Sequence, residues 1–327
     1  MSTVSVIIPN HNRASLIAET LESILSQTRV ADEIIVVDDG STDCSVDVIK
    51  QFAPRVSLIT QPNAGPAAAR NRGLAASRGT FIQFFDSDDL CAANKIEVQL
   101  AAIEATGADI AYGPWVKAKL ADAVATCEPF VIQQKPVPGG RPPHRHFVGG
   151  WVCLFQACLV RRDLIDRIGG FDARLIPSED SELFFRMLVS GAKLVHTPET
   201  IVVYRLHGAN QISGSALDRV RRARDWALFK TIVAERMRAD AAKFTALDRW
   251  LWAIDAMQAD RQVSALLGER PRGLGAAAVG AIGFIDTLRR RVTRKLCGTL
   301  MDPVYGEGAM TDRQRALILE LGYAARQ

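Results

Sequence analysis

Thr80-Phe81-Ile82-Gln83-Phe84-Phe85-Asp86-Ser87-Asp88-Asp89 is an apolar strand that ends in three carboxylates within four residues. Such a cluster repels itself unless a cation or a hydrogen-bond network neutralises it. Ligands of open α/β sheets bind at the carboxyl ends of the strands, and there a hard divalent cation carrying a phosphate group is a natural partner. Mg²⁺ and Mn²⁺ both take oxygen ligands, often one or two carboxylates plus substrate phosphates. A solvated acidic turn would share this composition. The remainder of the chain argues for the ligand site.

A second strand ends the same way. Glu33-Ile34-Ile35-Val36-Val37 is, after its leading Glu, a β-branched run suited to a strand buried on both faces. It leads into Asp38-Asp39-Gly40-Ser41-Thr42-Asp43, where Gly40 permits a tight turn and Ser41, Thr42 or Asp43 can cap the next helix. A turn and a cap account for Asp43 but not for two further carboxylates, so Asp39 is a candidate to meet a ligand's N–H or hydroxyl groups.

Strand candidates Val4–Pro9, Glu33–Val37, Ser57–Thr60 and Thr80–Phe85 alternate with amphipathic stretches around Leu16–Leu25, Ser45–Phe52 and Pro66–Ser77. This alternation predicts a mostly parallel sheet with right-handed crossovers. A helix over Ala92–Ala105 and a strand at Ile110–Tyr112 follow. Residues 117–150, rich in Pro and Gly, read as a long irregular loop of the kind that carries function. His144, Arg145, His146 and Trp151 at its end are acceptor-site candidates, with a disordered basic loop the alternative for the two histidines and a core position the alternative for Trp151. Beyond it, Arg162–Ile168 reads as a helix stopped by Gly169-Gly170, and Glu179–Ser190 as a helix capped by Ser178 with Glu179 and Asp180 in its first turn. Ile201–Arg205 reads as the last strand, and the chain from Ser215 onward as entirely helical.

The chain has 327 residues, 48% of them apolar, enough for one large domain with an appendage or for two domains. Met1-Ser2-Thr3 leads straight into a strand with no signal-peptide pattern, and no apolar run reaches the roughly 18–20 residues that span a bilayer. Six cysteines without C-x-x-C pairs fit buried thiols in a reducing cytoplasm. Neither G-x-G-x-x-G nor G-x-x-x-x-G-K-[ST] occurs, which removes support for dinucleotide oxidoreductases and P-loop enzymes. A receiver-type signalling domain shares paired strand-end acids but is too short and lacks the second carboxylate group downstream.

Taken in order, these segments resemble the family 2 glycosyltransferases of the GT-A nucleotide-sugar fold. The resemblance covers about residues 2 to 213. It is carried by Ser5-Val6-Ile7-Ile8-Pro9-Asn10-His11-Asn12, Val37-Asp38-Asp39-Gly40-Ser41-Thr42-Asp43 and Asn63-Ala64-Gly65 with Ala69-Arg70-Asn71-Arg72-Gly73. Asp86-Ser87-Asp88-Asp89, Gly169-Gly170-Phe171-Asp172, Ser178-Glu179-Asp180-Ser181-Glu182-Leu183 with Arg186, and Tyr204-Arg205-Leu206-His207 complete it. It implies an α/β fold of GT-A type, a mostly parallel Rossmann-like sheet flanked by helices, with an α-helical C-terminal extension. A catalytic domain over 1–213 would divide into a nucleotide-sugar part (about 1–115) and an acceptor part (about 116–213), followed by a helical region over 214–327.

The resemblance also implies roles. Pro9 to His11 would line the nucleoside, with His11 against the base. Asp39 would bond the base, and Arg70 the base or diphosphate. Asp88 would contact the ribose, and Asp88, Asp89 and His207 the metal, with Asp86 supporting the loop. A histidine merely satisfied at a strand end is the plainer reading of His207. Asp180 would be the general base that takes the acceptor hydroxyl's proton, kept ionised by the helix N-terminus, with Glu179 beside the acceptor. The implied function is metal-dependent (Mn²⁺ or Mg²⁺), inverting transfer of a sugar from a nucleoside-diphosphate donor, foremost a UDP-sugar, to a glycan or lipid-linked acceptor. A non-catalytic nucleotide-sugar or glycan-binding relative is the alternative. The setting is expected to be cytoplasmic or peripheral on the inner face of the plasma membrane, with no nucleic-acid partner.

From Ser215 on there are 20 basic and 13 acidic residues, so the overall charge of +4 comes from the C-terminal third. Leu274, Ala278, Ile282, Ile285, Leu288, Val292 and Leu296 recur at helical spacing with Arg289, Arg290, Arg291, Arg294 and Lys295 among them. An amphipathic basic helix suits an anionic membrane surface. Packing on the catalytic domain, or on a sister subunit in a homo-oligomer, explains the same pattern. Arg219, Arg221, Arg222 and Arg224 admit both readings.

Overall fold

The computed structural model describes residues 2–121, 124–128, 130–137, 139, 142–148, 153–207, 219–269 and 308–325. From the amino terminus, β1 (Val4–Asn10), β2 (Glu33–Asp39), β3 (Ser57–Gln61) and β4 (Phe81–Phe84) alternate with α1 (Ile17–Leu25), α2 (Ser45–Lys50) and α3 (Pro66–Ala76). Next come β5 (Leu90–Cys91), α4 (Lys95–Thr106), β6 (Ile110–Tyr112), β7 (Trp115–Ala121), β8 (Val124–Cys127), β9 (Phe130–Val131) and α5 (Pro143–Val148). They lead to β10 (Cys158–Arg161), α6 (Arg162–Ile168), α7 (Glu179–Val189), β11 (Leu194–His196) and β12 (Val202–Leu206). The helices α8 (Arg219–Ala239) and α9 (Ala246–Leu266) follow, then β13 (Gly308–Ala309), a helix at Asp312–Glu320 and β14 (Ala324–Ala325).

The main sheet has seven strands in the order β11-β6-β10-β4-β1-β2-β3. The β4-β1-β2-β3 half is parallel, as the alternation predicts, and β10 runs antiparallel to both β4 and β6. Successive side chains of β1 point to opposite faces. Val4, Val6 and Ile8 join a core with Ile17, Leu21 and Ile24 of α1, whereas Ile7 joins Phe84, Leu183, Phe184 and Phe229 on the other face. Pro9 lacks an N–H, and it lies beyond Ile7, the last β1 residue paired with β4. On that face Gly73 of α3 approaches so closely that a Cβ there would sit 2.4 Å from Ile7 Cγ2.

Four expectations change. Residues 117–150 are not one irregular loop: β7 pairs with β8 and, in parallel, with β12, and α5 follows. The strand read at Ile201–Arg205 is β12, and it belongs to a second sheet, ordered β14-β8-β7-β12-β5. The helix read from Ala92 begins at Lys95, because Leu90-Cys91 pair with β12. Nor is the chain wholly helical after Ser215: β13 pairs with β9, and β14 extends the second sheet along β8. Trp151 and the stretch 274–296 lie outside the described residues.

Candidate active site

Chain order fixes where a ligand can sit. β1, β2 and β3 step toward one edge, and β4 returns to the other side of β1. The switch in direction opens a crevice at the carboxyl ends of β1 and β4, the usual ligand position in such sheets. The loop after β1 (His11 to Leu16) and Asp86–Asp89 after β4 flank it, and the loop after β2 closes one side. That last loop is tight: Gly40 has φ +73°, and a Cβ there would lie 2.8 Å from Asn63 N.

Carboxylate oxygens of Asp86, Asp88 and Asp89 lie within 4.8 Å of one another. Protein donors meet each of them. Asp86 takes Arg70 Nη2 (2.7 Å) on Oδ1 and Gln156 Nε2 on Oδ2. Asp88 Oδ2 meets Arg13 Nε and His207 Nε2, both at 2.9 Å. Asp89 accepts from the Arg205 amide (2.9 Å) and from Gln156 Nε2 (3.0 Å). Burial, then the like charge of Asp88, pushes the Asp86 carboxyl above its usual range. Asp89 is pushed up further by burial and by both neighbours. At Asp88 burial works the same way, yet His207 and Arg13 hold the carboxyl below its usual range. An all-oxygen donor set whose members resist ionising together fits a hard divalent cation, which would relieve that crowding.

Arg205 fixes the floor of this loop. Its fully buried side chain donates to the Asp88 carbonyl, to Glu19 and, at 3.0 Å each, to the Leu16 carbonyl and Thr20 Oγ1. β12 is thereby tied to both loops that flank the crevice.

Arg70 joins the two acidic groups. From α3 it reaches Asp86 with Nη2 and Glu179 Oε1 with Nη1 (2.6 Å), and it packs 5.4 Å over the Phe171 ring. Its side chain is 9% exposed and bridges the strand-end acids to α7. Burial disfavours its charge, but Asp86 and Glu179 outweigh that and raise its pKa. Burial takes the Glu179 carboxyl up to about 7, with Arg70 opposing and Asp180 adding to the rise. Its Oε2 is buried without a hydrogen-bond partner. Glu179 Oε1 therefore faces Arg70.

Asp180 is half-buried beside it and accepts from the Ser181 amide (2.5 Å) and Ser181 Oγ (3.2 Å). Burial, with Asp86 adding to it, raises the Asp180 carboxyl above its usual range in spite of Arg70, opposing the helix N-terminus that was expected to keep it ionised. Ser178 makes no side-chain cap; its Oγ donates to Asp225 of α8 (2.5 Å). Asp43 does satisfy the start of α2, through the Ser45 amide at 2.9 Å.

On the nucleoside side, Asp39 is 3% exposed and accepts from Gln61 Nε2 (2.7 Å), the Ala64 amide (2.9 Å) and the Gly65 amide (2.8 Å). The exposed His11 ring sits against the Asp39 carbonyl (Nδ1, 2.9 Å) and Asn63 Nδ2. Pro9, His11 and Asp39 thus share one end of the crevice. Arg13, Gln156 and Asp225 were not read from the sequence as site residues. Arg13 follows His11 by two positions and its charge beside so many acids was a usable signal, whereas nothing local marks Gln156.

The glycosyl transferase family 2 model matches residues 5–169. A Rickettsia bellii protein described as an uncharacterized glycosyltransferase is 45% identical over 103 residues, 31% of this chain and 15% of that protein. The chain thus spans a small part of the length of such relatives. Among solved structures, S. aureus TarS 1-349 in complex with UDP-GlcNAc superposes with a TM-score of 0.56 at 18% identity, covering 80% of this chain and 82% of that one. The mannosyltransferase PcManGT from Pyrobaculum calidifontis, in complex with GDP-Man and Mn²⁺, gives 0.53 at 21% identity over 89% and 82%. These likenesses establish the GT-A fold. With the family model spanning half of the sequence and the strand-end acids gathered where that fold binds its ligand, the chain belongs to glycosyl transferase family 2.

Proposed function

We propose that the protein is a metal-dependent, inverting glycosyltransferase that moves a sugar from a nucleoside-diphosphate donor, foremost a UDP-sugar, to a glycan or lipid-linked acceptor at the cytoplasmic side. The observation that carries this reading is the pair of acidic groups bridged by one buried arginine: Asp86, Asp88 and Asp89 at the end of β4, and Glu179 next to Asp180 at the start of α7. One group suits a cation and its diphosphate, the other a proton. The two structural relatives were solved with UDP-GlcNAc and with GDP-Man plus Mn²⁺, which supports such a donor here.

Pro9, His11 and Asp39 would hold the nucleoside, with Asp39 kept rigid by its three donors. Asp88 and Asp89, with His207 beside them, would hold Mn²⁺ or Mg²⁺, which when bound neutralises the departing diphosphate. Arg70 acts through Asp86 and Glu179, fixing the distance between the donor loop and α7. Asp180 takes the acceptor hydroxyl's proton as that oxygen bonds to the anomeric carbon and the bond to the diphosphate oxygen breaks. The electron pair leaves with the nucleoside diphosphate, and the configuration inverts. A raised pKa makes Asp180 a stronger base once ionised. Trp151 is our candidate for an acceptor contact, and we divide the chain functionally into a catalytic part (1–213) and a helical C-terminal part (214–327). Among the described residues no helix is long and apolar enough to cross a membrane. The basic stretch from Leu274 to Leu296 is our candidate for an anionic membrane surface.

Release of nucleoside diphosphate from a panel of nucleotide sugars tests the chemistry. Wild type is expected to turn over one donor with Mn²⁺, and Asp180→Asn to do so about 10²–10⁴-fold more slowly. Turnover by Asp180→Asn at the wild-type rate would refute the base assignment.

A further inference from the structure

Gln156 is buried just before β10 and touches both outer members of the strand-end acidic group. It lies in a single 3₁₀ turn, Phe155–Ala157. Phe155 packs against Phe84 and Phe171 in one core, while Ala157 belongs to the core of Val6 and Ile8. Gln99 Nε2 also holds the Ala157 carbonyl at 2.8 Å. The backbone that carries Gln156 is thereby fixed on both sides.

From this turn Gln156 Nε2 donates to Asp86 Oδ2 and, at 3.0 Å, to Asp89 Oδ2. An amide nitrogen carries two N–H groups, so one side chain serves both carboxylates. The other oxygen of each is met from elsewhere: Arg70 Nη2 reaches Asp86 Oδ1, and the Arg205 amide reaches Asp89 Oδ1. A continuous path of hydrogen bonds therefore runs from Asp89 through Gln156, Asp86 and Arg70 to Glu179. The type of donor matters. A lysine or arginine here would cancel charge that a cation needs, and a glutamate would add repulsion to a crowded group. A carboxamide is neutral, so it orients two oxygens and leaves their charge for the cation.

We propose that Gln156 is a positioning residue for the divalent cation: it ties Asp89 to Asp86 and so fixes how Asp89 is presented to the metal of the donor diphosphate. The proposal rests on the glycosyl-transfer reading and adds to it a residue that sets cation affinity and selectivity. Removing a hydrogen-bond partner of a metal-ligating group typically costs about 10–100-fold in metal affinity. Mg²⁺ demands near-octahedral ligands, whereas Ca²⁺ accepts looser geometry, so loosened carboxylates penalise Mg²⁺ more.

The test uses full-length, metal-stripped protein as wild type, as Gln156→Leu, which deletes the donor, and as Gln156→Asn, whose shorter amide is drawn back from the pair. Mn²⁺ alone is titrated by calorimetry in one arm. In the other, UDP and GDP are titrated with Mn²⁺, Mg²⁺ or Ca²⁺ present. Both variants are expected to weaken Mn²⁺-dependent nucleotide binding about 10–100-fold and to lower the ratio of Mg²⁺-supported to Ca²⁺-supported affinity. Circular dichroism checks the fold, and Gln156→Asn carries the test if Gln156→Leu does not fold. A glutamine that only fills space would lower the urea midpoint and leave cation affinity and the Mg²⁺-to-Ca²⁺ ratio at their wild-type values; that result overturns the proposal. If wild type binds Mn²⁺ but neither nucleotide, the transfer reading fails and the Mn²⁺ arm alone decides Gln156. No Mn²⁺ binding by wild type in either arm overturns both.

Discussion

Glu179 offers a stability measurement with a definite sign. Its carboxyl is raised to about 7 from the ordinary 4.5, chiefly by burial. A raised acid binds more protons in the folded state than in the unfolded one between those values. Its stabilising contribution is therefore complete below pH 4.5 and is lost as pH rises through 7. At 1.36 kcal/mol per pKa unit the loss amounts to about 3 kcal/mol. Glu179→Gln keeps an oxygen for Arg70 Nη1 but cannot titrate. Urea unfolding of both proteins without metal, from about pH 4.5 to 8, is expected to show the variant gaining about 3 kcal/mol on wild type across that range. Asp86, Asp89 and Asp180 are shifted the same way and tilt both curves, so the difference between the curves reports Glu179 together with its coupling to Asp180. Parallel curves would refute the reasoning.

Asp89→Asn, which preserves the shape that meets Arg205 and Gln156, is expected to abolish metal-dependent nucleotide binding while circular dichroism stays native. Asp225→Ala should cost about 3 kcal/mol in denaturant unfolding, since buried amides at the start of α7 lose their acceptor, and should lower kcat with donor affinity unchanged. Transfer should fall as pH drops through the raised Asp180 pKa, and a flat acid limb in the kcat profile would count against that role. If the basic stretch binds membrane, wild type should sediment with anionic liposomes at low salt. Replacing Arg289, Arg290, Arg291 and Arg294 by Gln should release it, each such residue being worth about 1 kcal/mol near the surface.

The parallel half of the sheet was legible because β1 and β2 are rich in β-branched apolar residues and buried nearly throughout, and Arg162–Ile168 and Ile110–Tyr112 match residue for residue. β7 was missed for a physical reason. Val116 and Ala118 are buried while Lys117 and Lys119 are exposed, the period of a strand, but Ala and Lys are weak strand formers and β12 supplies the pairing. β13 and β14 have two residues each and exist only through partners far away in sequence. At the site, the acids announced themselves as clusters at strand ends. Their hydrogen-bond partners did not: Arg13, Gln156 and Arg205 reach Asp86–Asp89 from separate elements, and only folding brings them together. Arg70 was read as a ligand contact; its bridge between Asp86 and Glu179 was not legible, because its partners lie 16 and 109 residues away.

The central claim is that the strand-end aspartates hold a nucleoside diphosphate through a divalent cation. Calorimetric titration of UDP and GDP into metal-stripped protein, with Mn²⁺ and then with EDTA, tests it most directly. The account predicts that one of the two binds with Mn²⁺, and that this binding is lost in EDTA and in Asp89→Asn. Equal affinity with and without metal, or no binding of either nucleotide in the presence of Mn²⁺, would contradict it.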